Sequence, residues 1–148
     1  KRKVIGVDID IRAHNRAAIE AHPLSNRIEM ILGSSTDPAV VKQVASLASG
    51  AQTVMVCLDS NHAHDHVLAE LYHYAPMVSV GSYCVVFDTI IENMPKSMYP
   101  DRPWGPGNNP MTAVEKFLER NADFKIDLEI DAKLQISVAP RGFIQRCN

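Results

Sequence analysis

At 148 residues, 46% hydrophobic and with a formal net charge of −2, the chain is long enough to bury a core and too evenly charged to select nucleic acid or a membrane surface. Its only basic run, Lys1-Arg2-Lys3, reads as a solvated end, and no apolar stretch approaches the roughly 18 residues that a membrane span requires. Three cysteines cannot all pair, and Cys57 and Cys84 fall in predicted buried strands where reduced thiols pack well, so a cytoplasmic location is expected.

Val4 to Val7 reads as a strand ending at Asp8, followed by a helix through Ala17, Ile19 and Ala21 that Pro23 closes. Ile28 to Leu32 is the next strand. Gly33-Ser34-Ser35 makes a turn, Asp37 is a good helix cap with Pro38 at the first helical position, and Val40, Val41, Val44 and Leu47 form an apolar stripe. Val54 to Leu58 and Tyr83 to Phe87 are continuous apolar runs, as expected of parallel strands covered by helices on both faces. Between them Ser60 or Asn61 can start a helix in which Ala63, Val67, Leu68, Leu71 and Ala75 recur, before Pro76 and Gly81 release the chain.

Each of those two strands ends in an acid, Asp59 and Asp88. In a parallel sheet the carboxyl ends of the strands are where ligands sit, and two acids there can share one hard cation. From Ile90 to Asn109 the density of proline and glycine predicts an irregular loop carrying Trp104. Asn109 and Pro110 then open a helix through Ala113, Val114, Phe117 and Leu118. Alternation of apolar and polar residues over Phe124–Ile130 and Leu134–Val138 predicts a two-stranded antiparallel edge joined at Asp131-Ala132-Lys133.

The succession VIGVDID, GSSTDP, VCLDSNHAHDHVLAEL, VVFDTIIE and RPWGPGNNPMTAV resembles the cephalosporin hydroxylase family, which includes rhamnosyl and macrolide-sugar O-methyltransferase relatives. The LDSNH strand end and the WGPGNNP loop are its most distinctive pieces. The resemblance implies an α/β fold: a Rossmann-like, S-adenosylmethionine-dependent methyltransferase sheet, mostly parallel with a C-terminal antiparallel pair, in one domain over residues 1–148. In that fold a central first strand leads into a glycine-rich turn. This chain opens at Lys1 on what would be the second strand, with no GxGxxG-like turn, so it is expected to be the carboxyl-terminal portion of a longer protein that binds the cofactor poorly by itself.

The resemblance also implies a site. Asp8 matches the acid that accepts hydrogen bonds from the cofactor ribose, with Asp10 the weaker candidate and helix capping the alternative. Ser34, Ser35 and Asp37 match the turn near the adenine, although Asp37 serves equally as a plain N-cap. Asp59 and Asp88 match the Mg²⁺ acids, with Thr89 or Glu92 as a further ligand, and His62 is the candidate base. Trp104 would offer an apolar plane to a sugar or polyol acceptor, the expected small-molecule partner. Homo-oligomerisation is left open.

Three alternatives stand beside methyl transfer. His62 and His66, at i and i+4 with Asp59, could imitate a two-histidine, one-carboxylate iron site of an oxygenase, whereas His64 and His73 read as ordinary exposed helix residues. A nicotinamide-dependent oxidoreductase would use Asp8 but leave the paired acids unexplained. A non-catalytic scaffold is the third.

Overall fold

The computed structural model describes residues 2–148; Lys1, part of the expected solvated end, lies outside the described residues, and Arg2 and Lys3 are exposed. The chain divides into two compact units, residues 1–49 and 50–148.

The first unit contains β1 (Val4–Asp8), α1 (Ala13–Ala21), β2 (Ile28–Leu32) and α2 (Pro38–Ala48). The two strands pair in parallel from Val4 opposite Ile28 to Asp8 opposite Leu32, and Gly33 N–H extends the ladder to Asp8 O at 2.9 Å. Asp37 caps α2 as its sequence predicts, Oδ1 accepting from Ala39 N at 2.7 Å with Pro38 in the first turn. Among the described residues of this unit only Ile31 and Val40 are buried, and α1 buries nothing. Accordingly β1 is not covered on both faces: Ile5 and Val7 are half-buried and Val4 is exposed.

The second unit contains β3 (Val56–Leu58), α3 (His64–Tyr74), β4 (Tyr83–Val86), α4 (Pro110–Leu118), β5 (Phe124–Ile126), α5 (Leu128–Leu134) and β6 (Phe143–Arg146). Its sheet runs β3-β4-β6-β5, with β3 and β4 parallel and the other two pairings antiparallel. The core forms where α3 and α4 contribute Val67, Leu71, Tyr74, Ala113, Val114 and Phe117, and where the sheet contributes Cys84, Val85, Val86 and Ile144. Each large side chain here stabilises the unit by about 1.5–3 kcal/mol through removal of apolar surface from water. Phe117 is central to this packing, meeting Tyr72 and Phe124 edge-on at 5.6 and 5.4 Å.

Three expectations are corrected. The antiparallel pair after Phe124 exists, but β5 pairs with Phe143–Arg146 rather than with Leu134–Val138. Residues 128–134 are helical because Asp127 Oδ1 accepts from Glu129 N at 3.0 Å and starts α5, supported by the Lys133–Glu129 ion pair one turn apart. The alternation of Ile126, Leu128 and Ile130 gave a false period of two: Leu128 is 61% exposed and Ile136 is 93% exposed, so no sheet claims that face. Pro140-Arg141-Gly142 redirects the chain into β6. At Gly142 a Cβ would collide with Val86 O, while Gly142 O accepts from Val86 N at 2.8 Å, so only glycine permits this approach of backbone to backbone. The second correction concerns α3, which begins at His64 rather than at Ser60 or Asn61; Asn61 Oδ1 bonds Ala63 N instead, in a turn that precedes the helix. Third, Cys57 is exposed, whereas Cys84 is buried and its thiol pKa is pushed up by that burial; all three cysteines are free.

Candidate functional site

The parallel register places Leu58 opposite Val86, and Phe87 N–H donates to Leu58 O at 3.0 Å, so β3 and β4 end side by side and release Asp59 and Asp88 from the same edge. Asp88 adopts a left-handed backbone, φ 55°, a conformation that costs a non-glycine residue about 1–2 kcal/mol and that Asp tolerates best among charged residues. Its side chain does not cap the 3-10 turn that follows at Thr89–Asn93. Asp88 Oδ2 instead lies 3.2 Å from His62 Nε2, and Asp59 Oδ1 lies 3.9 Å from the same nitrogen.

Ligand-capable atoms of Asp59, His62 and Asp88 all fall within 4.8 Å of one another. The Asp59 carboxyl is held above the usual carboxylate range, first by desolvation and then by the charge and hydrogen bond of Asp88, with His62 pulling the other way. Two carboxylates brought together at one sheet edge, with an imidazole beside them, form a donor set suited to a small divalent cation. His62 lies in the turn before α3, not on the helix. Its Nδ1 is buried with no hydrogen-bond partner among the described residues.

Trp104 packs on His62 with ring centroids 4.9 Å apart, backed by Tyr99 at 4.9 Å and by the Arg102 guanidinium 5.5 Å from the indole. The loop that carries it is more ordered than its composition suggests. Glu92 accepts from Gly107 N at 2.8 Å and from Asn109 Nδ2, and Asn108 Nδ2 donates to Pro103 O at 2.8 Å. Asn108 Oδ1 accepts from His64 N at 2.9 Å, and Asn109, fully buried, closes a capping box with Thr112 at the start of α4.

The remaining candidates are less free. Thr89 is fully buried with its hydroxyl donating to Pro140 O at 2.7 Å, and Glu92 is the anchor of the Trp104 loop, so neither joins the two acids. His66 pairs with Glu70 at 3.6 Å, which leaves one histidine and two carboxylates and removes the two-histidine iron arrangement. His64, expected to be an ordinary exposed residue, meets Thr112 Oγ1 through Nδ1 at 2.8 Å.

In the first unit Asp8 is exposed, and its Oδ1 accepts from Asp10 N at 2.9 Å; Asp10 itself pairs with Arg12 at 3.7 Å. Ser34 Oγ shares a hydrogen bond with Thr36 Oγ1 at 3.0 Å, Ser35 is half-buried, and Asp37 is the cap of α2. Sequence reasoning missed Glu70 and the anchoring pair Glu92–Asn109. For Glu70 the signal was present: an acid one turn from both Val67 and Tyr74 stands in the apolar stripe of α3.

The α/β fold is one that the chain shares with a known methyltransferase. The methyltransferase MycE of the mycinamycin biosynthetic pathway, solved with Mg and S-adenosylhomocysteine, superposes with a TM-score of 0.55 at 15% identity, covering 99% of this chain and 37% of that one. The MycE complex that also holds mycinamycin VI gives 0.51 at 18% identity over 79% of this chain and 29% of that one. Residues 1–147 match the rhamnosyl O-methyltransferase/CmcI family, and the chain belongs to it. The rhamnosyl O-methyltransferase of Mycobacterium tuberculosis H37Rv is 37% identical over 115 residues, 76% of this chain and 44% of that protein. The Mycobacterium leprae TN enzyme of the same name is 30% identical over 146 residues, 97% of this chain and 59% of that protein. The chain thus spans about half the length of the relatives it matches. Among the described residues no helix is long and apolar enough to cross a membrane.

Proposed function

We propose that this chain carries the metal and acceptor machinery of an S-adenosylmethionine-dependent, Mg²⁺-assisted O-methyltransferase acting on a hydroxyl of a sugar or polyol, with residues 1–148 serving as one catalytic domain. The observation that carries the reading is the convergence of Asp59, His62 and Asp88 within 4.8 Å at the carboxyl ends of two parallel strands. Asp59 and Asp88 would hold the ion. When bound, the ion lowers the pKa of the acceptor hydroxyl and the cofactor supplies a methyl already activated on sulfonium.

What the protein adds is placement and proton transfer. An acceptor hydroxyl placed beside the two acids would have to give up its proton as its oxygen takes the methyl group from the cofactor sulfonium. His62 takes that proton at Nε2, the nitrogen that faces the carboxylates, and Asp88 at 3.2 Å stabilises the resulting imidazolium. Trp104 gives one sugar face an apolar wall, held in place by Tyr99 and by the Glu92 and Asn109 anchors. Asp8 accepts from the cofactor ribose with the carboxylate capacity that its Asp10 contact leaves. Ser34, Ser35 and Asp37 are the candidates near the adenine, and the local bonds of Ser34 and Asp37 make them weaker than Asp8.

MycE and the mycobacterial enzymes support a small glycosidic acceptor, and three unpaired thiols fit a cytoplasmic setting. Calorimetric titration of the intact protein with S-adenosylmethionine, with and without Mg²⁺, tests the reading. Saturable cofactor binding together with Mg²⁺-dependent heat in the presence of a rhamnosyl acceptor is expected. Binding of NADH in place of S-adenosylmethionine would move the protein to the oxidoreductases, and binding of neither would make it a scaffold.

A further inference from the structure

Glu70 is a carboxylate inside the core. It is 2% exposed, on the face of α3 that also buries Val67, Leu71 and Tyr74. Its Oε1 accepts a 2.7 Å hydrogen bond from Ser60 Oγ and stands 3.6 Å from His66 Nε2, one turn back on the helix. Its Oε2 is buried and has no hydrogen-bond partner among the described residues. Taking a carboxylate out of water costs several kcal/mol, and a leucine would fill the same space without that penalty. What distinguishes an acid here is therefore the directed bond it makes, and that bond reaches across to the turn between β3 and α3.

Ser60 is the residue next to Asp59 and two before His62. It is itself exposed, so nothing but its hydroxyl ties it to the interior through a side-chain hydrogen bond of the described structure. Asn61 Oδ1 holds Ala63 N at 2.9 Å and Asn108 Oδ1 holds His64 N at 2.9 Å, which fixes the far end of the turn. The near end, where Asp59 leaves the strand, is fixed through Ser60. We propose that Glu70 is a positioning residue that orients the Asp59–His62 turn through Ser60, and so sets the affinity of the two-acid site for its divalent cation. The proposal rests on the metal reading above. It gives the buried acid a role of the kind that partners behind metal ligands commonly have, where removal weakens metal binding about 10- to 100-fold.

The test is Mn²⁺ titration of the intact protein, followed by calorimetry and by the loss of the free-ion paramagnetic resonance signal, with thermal unfolding as the check on folding. Ser60→Ala is expected to weaken Mn²⁺ about tenfold with a melting temperature close to wild type. Glu70→Gln, which keeps an oxygen for Ser60, is expected to stay within about threefold of wild type, whereas Glu70→Leu should match Ser60→Ala. Ser60→Ala combined with Glu70→Leu should be no weaker than Ser60→Ala, since both remove one bond. Should Glu70→Leu not fold, Ser60→Ala and Glu70→Gln decide the matter. Wild-type Mn²⁺ affinity in Ser60→Ala would overturn the proposal and leave the metal site standing; no Mn²⁺ binding by the wild-type protein would overturn both.

Discussion

His62 Nε2 and Asp88 Oδ2 stand 3.2 Å apart at the end of β4, and the Trp104 ring packs, tilted, on the same imidazole with centroids 4.9 Å apart. One histidine is thereby shared between the group that would bind a cation and the group that would meet a sugar.

That sharing separates the roles by mutation. Asp59→Asn and Asp88→Asn should each weaken Mg²⁺ binding by at least the 10- to 100-fold seen when a partner behind a ligand is lost, and activity should fall with it. His62→Ala should lower kcat by about 10²- to 10⁴-fold, the range for a lost general base, while Mn²⁺ affinity changes far less. Metal titration and steady-state kinetics on the same three variants would check this. Equal effects of His62→Ala on metal affinity and on kcat would make His62 a ligand instead of a base.

Asp8→Ala should weaken S-adenosylmethionine binding by about 1–3 kcal/mol, the loss of hydrogen bonds to a charged acceptor. The acceptor KM should be unchanged. Calorimetry with the cofactor alone reads this directly, and unaltered cofactor affinity would reduce Asp8 to the turn in which it already accepts from Asp10 N.

Asn109 joins the start of α4 to the Trp104 loop. Asn109→Ala removes the capping box, worth about 0.5–2 kcal/mol, and strips a donor from Glu92, so the melting temperature should fall measurably. Trp104 is the sole tryptophan of the sequence, so its fluorescence reports the loop. A red shift in Asn109→Ala is expected, and an unchanged spectrum would show that the loop holds without this anchor.

Tyr83 and Asp127 give the fold a pH signature. Tyr83 Oη donates to Asp127 Oδ2 at 2.7 Å, and this bond is the first cause of both a lowered Asp127 pKa and a raised Tyr83 pKa. With the carboxylate favoured in the folded state, the contribution is present above the ordinary value of 3.8 and is lost as the pH falls through the lowered one. On the alkaline side the folded state resists ionisation of Tyr83, so stability declines as the pH rises past 10.0. Thermal unfolding across pH should show both slopes in the wild type and both reduced in Tyr83→Phe.

The elements that position the site were legible because their signals are local. Asp37-Pro38 and Asn109-Pro110 announce helix starts through their own side chains, and the apolar runs before Asp59 and Asp88 announce strand ends. Residues 128–138 misled because alternation is also what an exposed capped helix and an open turn can show by chance, and β6 escaped notice because Phe143–Arg146 offers only two apolar residues. Asp59 and Asp88 were readable as a pair from sequence. The stacking of Trp104 on His62 and the Ser60–Glu70 bond join residues 42 and 10 positions apart through tertiary packing, which no periodicity encodes.

The most direct measurement is transfer of labelled methyl from S-adenosylmethionine to a rhamnosyl acceptor by the intact protein, with Mg²⁺ titrated against a chelator. The account predicts label in the sugar ether, activity that is abolished by chelation and restored by Mg²⁺, and little restoration in Asp59→Asn. Transfer that proceeds undiminished under chelation, or equally well in Asp59→Asn and wild type, would contradict the assignment of Asp59 and Asp88 as the metal acids.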